Sequence, residues 1–432
     1  MKIDQNFLKP SIFKYLLSQG GVSFLFRIIG MLLGFTNIWL ISHYYSAETY
    51  GIFSLVQTVI LILLMVFTLG VQNILIIEIS KESFKENNVP EYFLGKIMKL
   101  ILLISVLPVS VLFFGSEILS SLFNNFALTK HFEILALALP FLLLHEVVLY
   151  YFIALKKFIR FGFFMFFLPS ILFTIFLFSF KHLLKDSYYI TVLFCLSFVI
   201  TFIAEFSIVF FRRPHLLLSS LQLKSYVKIL KTSVPMMFSG LMVLLLNWTD
   251  ILMLGIMTNE REVGIYNAAF KIGFLVLIVT ATMNVIIVPK ISEFYQKEDL
   301  KELKKIINRT TQLVVILTFP IVLFLFVFGK YLLAQFGADF TEGYTVLLLI
   351  TVSAFFSSLC GNVDQILNLT NNQNILLRIN IVCVLLNIVL NYVFIGLYGI
   401  EGAAIASLIA TVFLNATCVV FIKRELGFYT FF

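Results

Sequence analysis

Long apolar runs, each bounded by a polar break, recur along the whole chain. They lie at about 20–43, 51–77, 97–115, 132–154, 161–180, 188–211, 234–256, 265–289, 310–329, 345–369, 375–395 and 400–422. A helix needs about 20 such residues to cross a hydrocarbon layer roughly 30 Å thick. The pattern therefore predicts an all-α integral membrane protein with twelve transmembrane helices. Composition agrees: 60% of residues are hydrophobic and 12% charged, whereas a soluble domain carries about a quarter charged. A soluble enzyme and a secreted domain are excluded, and so is a disordered regulator, whose mark is low hydrophobicity. Cys195, Cys360, Cys383 and Cys418 each sit inside an apolar run, without a CxxC spacing or a histidine partner. They read as small buried hydrophobes, which supports neither a disulfide framework nor a metal site. The first apolar run follows a polar stretch and contains Arg27, so no cleavable signal peptide is expected.

The net charge of +8 would suit a nucleic-acid partner if the cations were clustered on one surface. They instead sort by loop. Of the 31 Lys and Arg residues, 24 fall in the two terminal segments and alternate loops, five (Lys130, Lys181, Lys185, Arg261, Lys330) in the intervening loops, and Arg27 and Lys271 inside spans. The positive-inside rule then places both termini in the cytoplasm. Topology accounts for the basic balance, and no nucleic acid is needed.

The chain also repeats itself. Residues 36–55 align with 249–268, which sets Thr36 on Thr249, Asn37 on Asp250, Gly51 on Gly264 and Phe53 on Tyr266. Further on, LPVSVLFFG resembles FPIVLFLFVFG, with Pro108 against Pro320. Two six-helix lobes are expected, 1–220 and 221–432. An even number of spans per half points both the same way, so this is a parallel repeat with the functional site at its interface. The basic, amphipathic stretch 212–232 is expected to lie on the cytoplasmic surface.

TDILMLG at 249–255, followed by VGIYNAAFK at 263–271, resembles the oligosaccharide flippases of the multidrug/oligosaccharidyl-lipid/polysaccharide exporter superfamily. The similarity is greatest to the polysaccharide-transport family, which moves O-antigen, capsule or related repeat units. LNIVLNYVFI at 386–395 and YGIEGAAIASLIA at 398–410 resemble that family's C-terminal signature. The resemblance covers essentially the whole chain. It implies a V-shaped, two-lobed transporter in the bacterial cytoplasmic membrane, a flippase and not an enzyme. Its substrate would be an undecaprenyl-pyrophosphate-linked oligosaccharide, moved from the inner to the outer leaflet by alternating access. Membrane lipids and other polysaccharide-assembly proteins are the implied partners. No cofactor is expected, and coupling to H+ or Na+ is left open. Lipid II flippases carry a Ser-Gly-Phe-Leu-Arg-Asp stretch, whereas the first span here reads Ser23-Phe-Leu-Phe-Arg27-Ile. That departure favours a polysaccharide repeat unit over a peptidoglycan precursor.

An ionisable residue at mid-membrane needs a partner or a wet cavity. Ser23, Arg27, Gly30, Gly34 and Asn37 share one helix face, which reads as a cavity-lining stripe whose arginine grips pyrophosphate. The alternative is an interhelical ion pair. Lys271 is the second candidate for a cationic cavity, and Asn267, one turn before it, is expected to line that cavity. Asp250 lies at a similar depth on the neighbouring span, so an Asp250–Lys271 pair is expected, as a lobe-stabilising bridge or with a switch or substrate role. Asp364, in a stripe with Ser353, Ser357 and Cys360, and Glu146, near Tyr150, could each carry a coupling proton or sodium ion, cap a helix contact or neutralise Arg27. Glu78 and Glu205 are expected to snorkel, and Asn387 with Asn391 to pack helices. Trp39, Trp248, Tyr44 and Tyr45 read as interfacial anchors. No HExxH, P-loop or GxSxG occurs, so no catalytic residue is assigned. His145 beside Glu146 hints at an acyltransferase, but adjacent helix positions point apart. Two rival functions remain, a drug or metabolite cation antiporter and a membrane-embedded polysaccharide polymerase or acyltransferase.

Overall fold

A computed structural model describes residues 10–82, 90–180, 186–211 and 223–431. Lys181, Lys185 and the basic stretch 212–222 lie outside the described residues. Among those described there is no strand. The helices of the first part of the chain are α1 (Pro10–Tyr44), α2 (Ala47–Phe67), α3 (Val71–Glu82), α4 (Pro90–Phe114), α5 (Ser116–Leu122), α6 (Leu128–Ala154), α7 (Phe158–Gly162), α8 (Leu168–Phe180) and α9 (Tyr188–Phe210). Those of the second part are α10 (Leu223–Met257), α11 (Glu260–Gly273), α12 (Leu277–Gln296), α13 (Leu300–Ala334), α14 (Tyr344–Cys360), α15 (Val363–Leu369) and α16 (Gln373–Leu426). A single π-helical turn, Phe163–Phe167, joins α7 to α8.

Among the described residues, eleven segments are long and apolar enough to cross a membrane. The last, α16, has 54 residues and would reach about 80 Å if straight, far more than one crossing needs. It breaks at Gly399, whose φ of 57° and ψ of −131° suit glycine alone. The expected spans 375–395 and 400–422 fall on either side of that break. Two other expected spans are interrupted. The run 51–77 is cut at Leu69 and Gly70, with φ of 50° and 68°, and the run 345–369 is cut at Gly361, with φ of 76°. Apolar continuity hid these breaks. Asn259 and Asp299 each accept a hydrogen bond, at 3.0 Å, from the backbone N–H of a glutamate three residues on, as N-caps do.

The chain packs as two compact units, one of residues 1–44 and 59–241, the other of residues 45–58 and 242–432. The sequence halves divide at 220/221; packing divides the chain at 241/242 and gives the start of α2 to the second unit. In the first unit α6 is central, packed against α3, α4 and α9. His131 meets Thr191 at 2.7 Å and His145 meets Glu205 at 2.9 Å, both sixty residues apart in sequence. That constant offset means α6 and α9 run parallel. Large side chains on the outer faces, such as Leu103, Leu107 and Phe114, remain exposed, as helices facing lipid acyl chains require.

In the second unit α14 packs against α11, α13 and α16, and an apolar core gathers Ile291, Ile307, Ile366, Cys418 and Ile422. Arg261 spans Glu342 through two hydrogen bonds of 2.8 and 2.7 Å and reaches Asp339 at 3.0 Å, tying α11 to the turn before α14. Between two candidate spans, hydrogen bonds from Lys297 and then Lys290 hold the Glu293 carboxyl below the usual carboxylate range. The repeat-equivalent glycines meet here. A Cβ on Gly51 would strike the Glu260 carbonyl, and one on Gly264 would strike the Ala47 carbonyl. Ala47 and Glu260 occupy equivalent repeat positions too, so the contact is locally two-fold.

Gly51→Ala should lower stability by about 1–3 kcal/mol through overpacking against backbone. Gly399→Ala should cost a similar ~1–3 kcal/mol through backbone strain. Thermal unfolding in detergent checks both; unchanged midpoints would contradict the close helix contact and the break.

Candidate functional site

Asp250 is 2% exposed on a membrane-spanning helix, so its carboxylate depends on protein donors. Tyr266 on α11 donates through its hydroxyl at 2.6 Å. Asn391 and Asn387 on α16 donate through their side-chain amides at 2.7 and 3.3 Å, and Ser407 donates through its hydroxyl. Asn387 and Asn391 share a helix face at i,i+4. Ser407 lies beyond the Gly399 break, which lets one continuous stretch of chain approach the carboxylate from both of its halves.

The expected Asp250–Lys271 pair does not form. Tyr266 occupies the side of α11 that meets Asp250, and Lys271, five residues on, is turned about 140° round the helix. The Lys271 ammonium lies 5.6 Å from the centre of the Tyr50 ring, within cation–π range. Tyr50 in turn donates its hydroxyl to Asn267 at 3.3 Å. Asn267 is 1% exposed and is a packing contact within the second unit.

Beside the Asp250 cluster lies a cavity of 540 Å³. Seven of its lining residues are asparagine, among them Asn284, Asn362, Asn380 and Asn387. Among the described residues, Asp364 is the one charged side chain in its wall. Ser353 and Ser357 join it there, as their shared stripe suggests, whereas Cys360 turns into the apolar core. Asp364 itself sits on α15, separated from α14 by the Gly361 break, and accepts from Gln365 at 3.1 Å. Asn387 and Ser407 belong to both features: they hold Asp250 and line the cavity.

The first unit corrects the reading of the Arg27 stripe. Ser23 packs against Gly162, Gly30 against the Phe166 backbone, and Asn37 accepts from Thr174 at 2.7 Å. These small and polar residues let α1 approach the α7–α8 segment closely, as in other membrane helix pairs; Ser23 and Asn37 are helix contacts. Arg27 is exposed, its guanidinium carbon 5.8 Å from the centre of the Phe166 ring. Glu205 does not snorkel. It is buried and paired with His145, while Glu146, one position along, is half-buried near Tyr150. Among the described residues no group of three or more His, Cys, Asp or Glu is arranged to hold a metal ion.

The partners of Asp250 that sequence reasoning missed are Tyr266, Asn387, Asn391 and Ser407. One signal was available: across the repeat, Asp250 and Tyr266 correspond to Asn37 and Phe53. Carboxylate and hydroxyl are lost together, as contacting partners would be.

The family described as polysaccharide biosynthesis protein matches residues 16–295. The chain belongs to this family. A second family, MatE, matches residues 235–393. A relative from Haloferax volcanii, named probable low-salt glycan biosynthesis flippase Agl15, is 24% identical over 162 residues, 37% of this chain and 34% of that protein. The chain thus spans about a third of the length of the curated relatives it matches. Among solved structures, an inward-facing multidrug resistance MATE transporter superposes with a TM-score of 0.79 at 13% identity, covering 94% of this chain and 98% of that one. The lipid II flippase MurJ, in an inward closed conformation, superposes at 0.77 with 16% identity, over 93% and 87% of the two chains. This member of the polysaccharide biosynthesis family therefore has the MATE-like fold of a multi-pass membrane protein.

A double-mutant cycle separates the partners of Asp250. Asp250→Asn with Asn391→Ala should show coupling of about 0.5–3 kcal/mol, and Asp250→Asn with Lys271→Met should be additive within about 0.5 kcal/mol. Coupling to Lys271 instead, in unfolding measurements, would contradict the observed cluster.

Proposed function

We propose that the protein is a flippase that carries a polyprenyl-pyrophosphate-linked saccharide from the inner to the outer leaflet of a cell membrane. The family match over residues 16–295 carries this reading, and the named flippase relative supports it. The two halves of α16 each count as a crossing, making twelve with both termini cytoplasmic, in line with the sorting of Lys and Arg between loops. Pyrophosphate brings about two negative charges into a low-dielectric path, where uncompensated charge is prohibitive. Arg27, exposed on the first unit, receives it as a bidentate fork, and Lys271 is the second cation along the route. Asp250 is the group that takes up a coupling proton or sodium ion. The match to MatE over 235–393 favours a second reading, export of a cationic small molecule in exchange for such an ion.

Arg27→Ala should leave the protein in the membrane while lipid-linked saccharide accumulates on the cytoplasmic leaflet, and Arg27→Lys should restore transport in part. Normal surface glycan from the Arg27→Ala/Lys271→Ala double variant, at matched protein levels, would overturn the cationic route. Resistance to cationic drugs lost in a deletion strain with normal glycan would favour the antiporter. For topology, single cysteines at Asp186 and Gln296 in a cysteine-free background should be labelled from outside and inside respectively. Labelling of both from one side would break the twelve-crossing arrangement.

A further inference from the structure

The wall of the second unit's cavity has an unusual make-up for a space between membrane helices. Ser353 and Ser357 on α14, Asn380 and Asn387 on the first half of α16, and Ser407 and Thr411 on its second half all face it. Spacings of four and seven put each pair on one helix face. A purely structural core would present apolar groups at those positions. Amides and hydroxyls there carry a desolvation cost unless something bonds to them. The side-chain oxygens of Asn284 and Asn387, both in the wall, find no hydrogen-bond partner among the described residues.

The lining selects among the parts of a lipid-linked substrate. Among the described residues Lys, Arg and His are absent from it and its one charge is the carboxylate of Asp364, so a pyrophosphate would be repelled. A polyprenyl chain would leave the asparagine amides unpaired. A neutral, hydroxyl-rich group fits: each amide offers both a donor and an acceptor, the pairing that neighbouring hydroxyls require. The stacked rings of Phe270 and Phe274, 5.2 Å apart, also line the wall and supply an apolar surface for the C–H face of a sugar ring. A volume of 540 Å³ falls within the range of small-molecule sites, about 300–1,000 Å³.

We infer that this cavity is a saccharide subsite, which takes an uncharged sugar segment of the substrate away from its pyrophosphate. The inference rests on the flippase reading and adds a place for the glycan. It also gives the glycan a means of acting on Asp250. A hydroxyl that takes the Asn387 amide or the Ser407 hydroxyl withdraws that donor from the carboxylate, so sugar occupancy and cation uptake at Asp250 become linked, each altering the other by the same factor.

The test uses the full chain in nanodiscs and three probes: lipid-linked saccharide extracted from the source cells, the oligosaccharide released from it by mild acid, and the polyprenyl pyrophosphate. Binding is read calorimetrically, with Trp248, whose ring lies 6.3 Å from that of Phe270, as a fluorescent reporter. The wild type should bind all three. Asn284→Leu/Asn380→Leu should weaken the released oligosaccharide and the lipid-linked saccharide by about tenfold or more, as expected when buried polar contacts to a hydroxyl are removed. Polyprenyl pyrophosphate binding should stay unchanged, which also reports that the variant is folded. Asn380→Asp, nearly isosteric, should give a smaller loss of the same pattern. Oligosaccharide binding that is undiminished in both variants, or absent in a wild type that binds the lipid-linked form, overturns the subsite. A wild type that binds no lipid-linked saccharide overturns the flippase reading itself.

Discussion

Hydrocarbon offers no hydrogen bonds, so a polar group that this chain carries into it is costly unless another part of the protein, or a ligand in a cavity, answers it. Hydroxyls answer locally. Ser54, Thr58, Thr201 and Thr318 bond back to the carbonyl four residues earlier, at 2.8, 2.9, 2.7 and 2.8 Å. Asn37, His131 and Asp250 are instead matched across helices, with Thr174, with Thr191 and with residues of α11 and α16 respectively. Each cross-helix match fixes a register that apolar packing alone leaves loose. The polar residues thus specify how each unit assembles.

The internal repeat supplies scaffold more than chemistry. Gly51 and Gly264 keep the same role in both copies, each admitting the other helix's backbone. The polar cluster is not repeated. Where the second copy holds Asp250 against Tyr266, the first holds Asn37, which accepts from Thr174. Losing the carboxylate at position 37 turns a charged site into a neutral helix contact, and the helix pair it serves then packs through small residues such as Gly30 and Gly162.

Fold class was legible because it depends on averages, run length and apolar fraction. Helix breaks were harder to see, since Leu69, Gly70 and Gly361 turn the chain within apolar sequence that hydropathy reads as continuous. Site residues were legible one at a time and seldom in their pairings. Asp250, Lys271 and Arg27 stood out as charges in spans, but which side of a helix meets which neighbour depends on rotation. A wrong rotation joined Asp250 to Lys271 and placed Ser23 and Asn37 on a cavity wall. Glu205 was misread for a related reason: its position near a span end suggested snorkelling, while the buried His145 that receives it lies sixty residues away in sequence.

The absence of Lys271 from the Asp250 cluster has a physical consequence. An aspartate paired with a lysine forms a site of zero net charge, and a bound proton or monovalent cation would leave it positive in a medium that disfavours uncompensated charge. Tyr266, Asn387, Asn391 and Ser407 donate hydrogen bonds as neutral groups. The net charge of the cluster is then that of the carboxylate alone, and a proton or monovalent cation brings it to neutrality. Glu205 is held differently, since its partner His145 is itself able to carry the positive charge. Two buried carboxylates in one chain therefore differ in their response to an added cation, and the neutral donor set around Asp250 is the arrangement that leaves room for one.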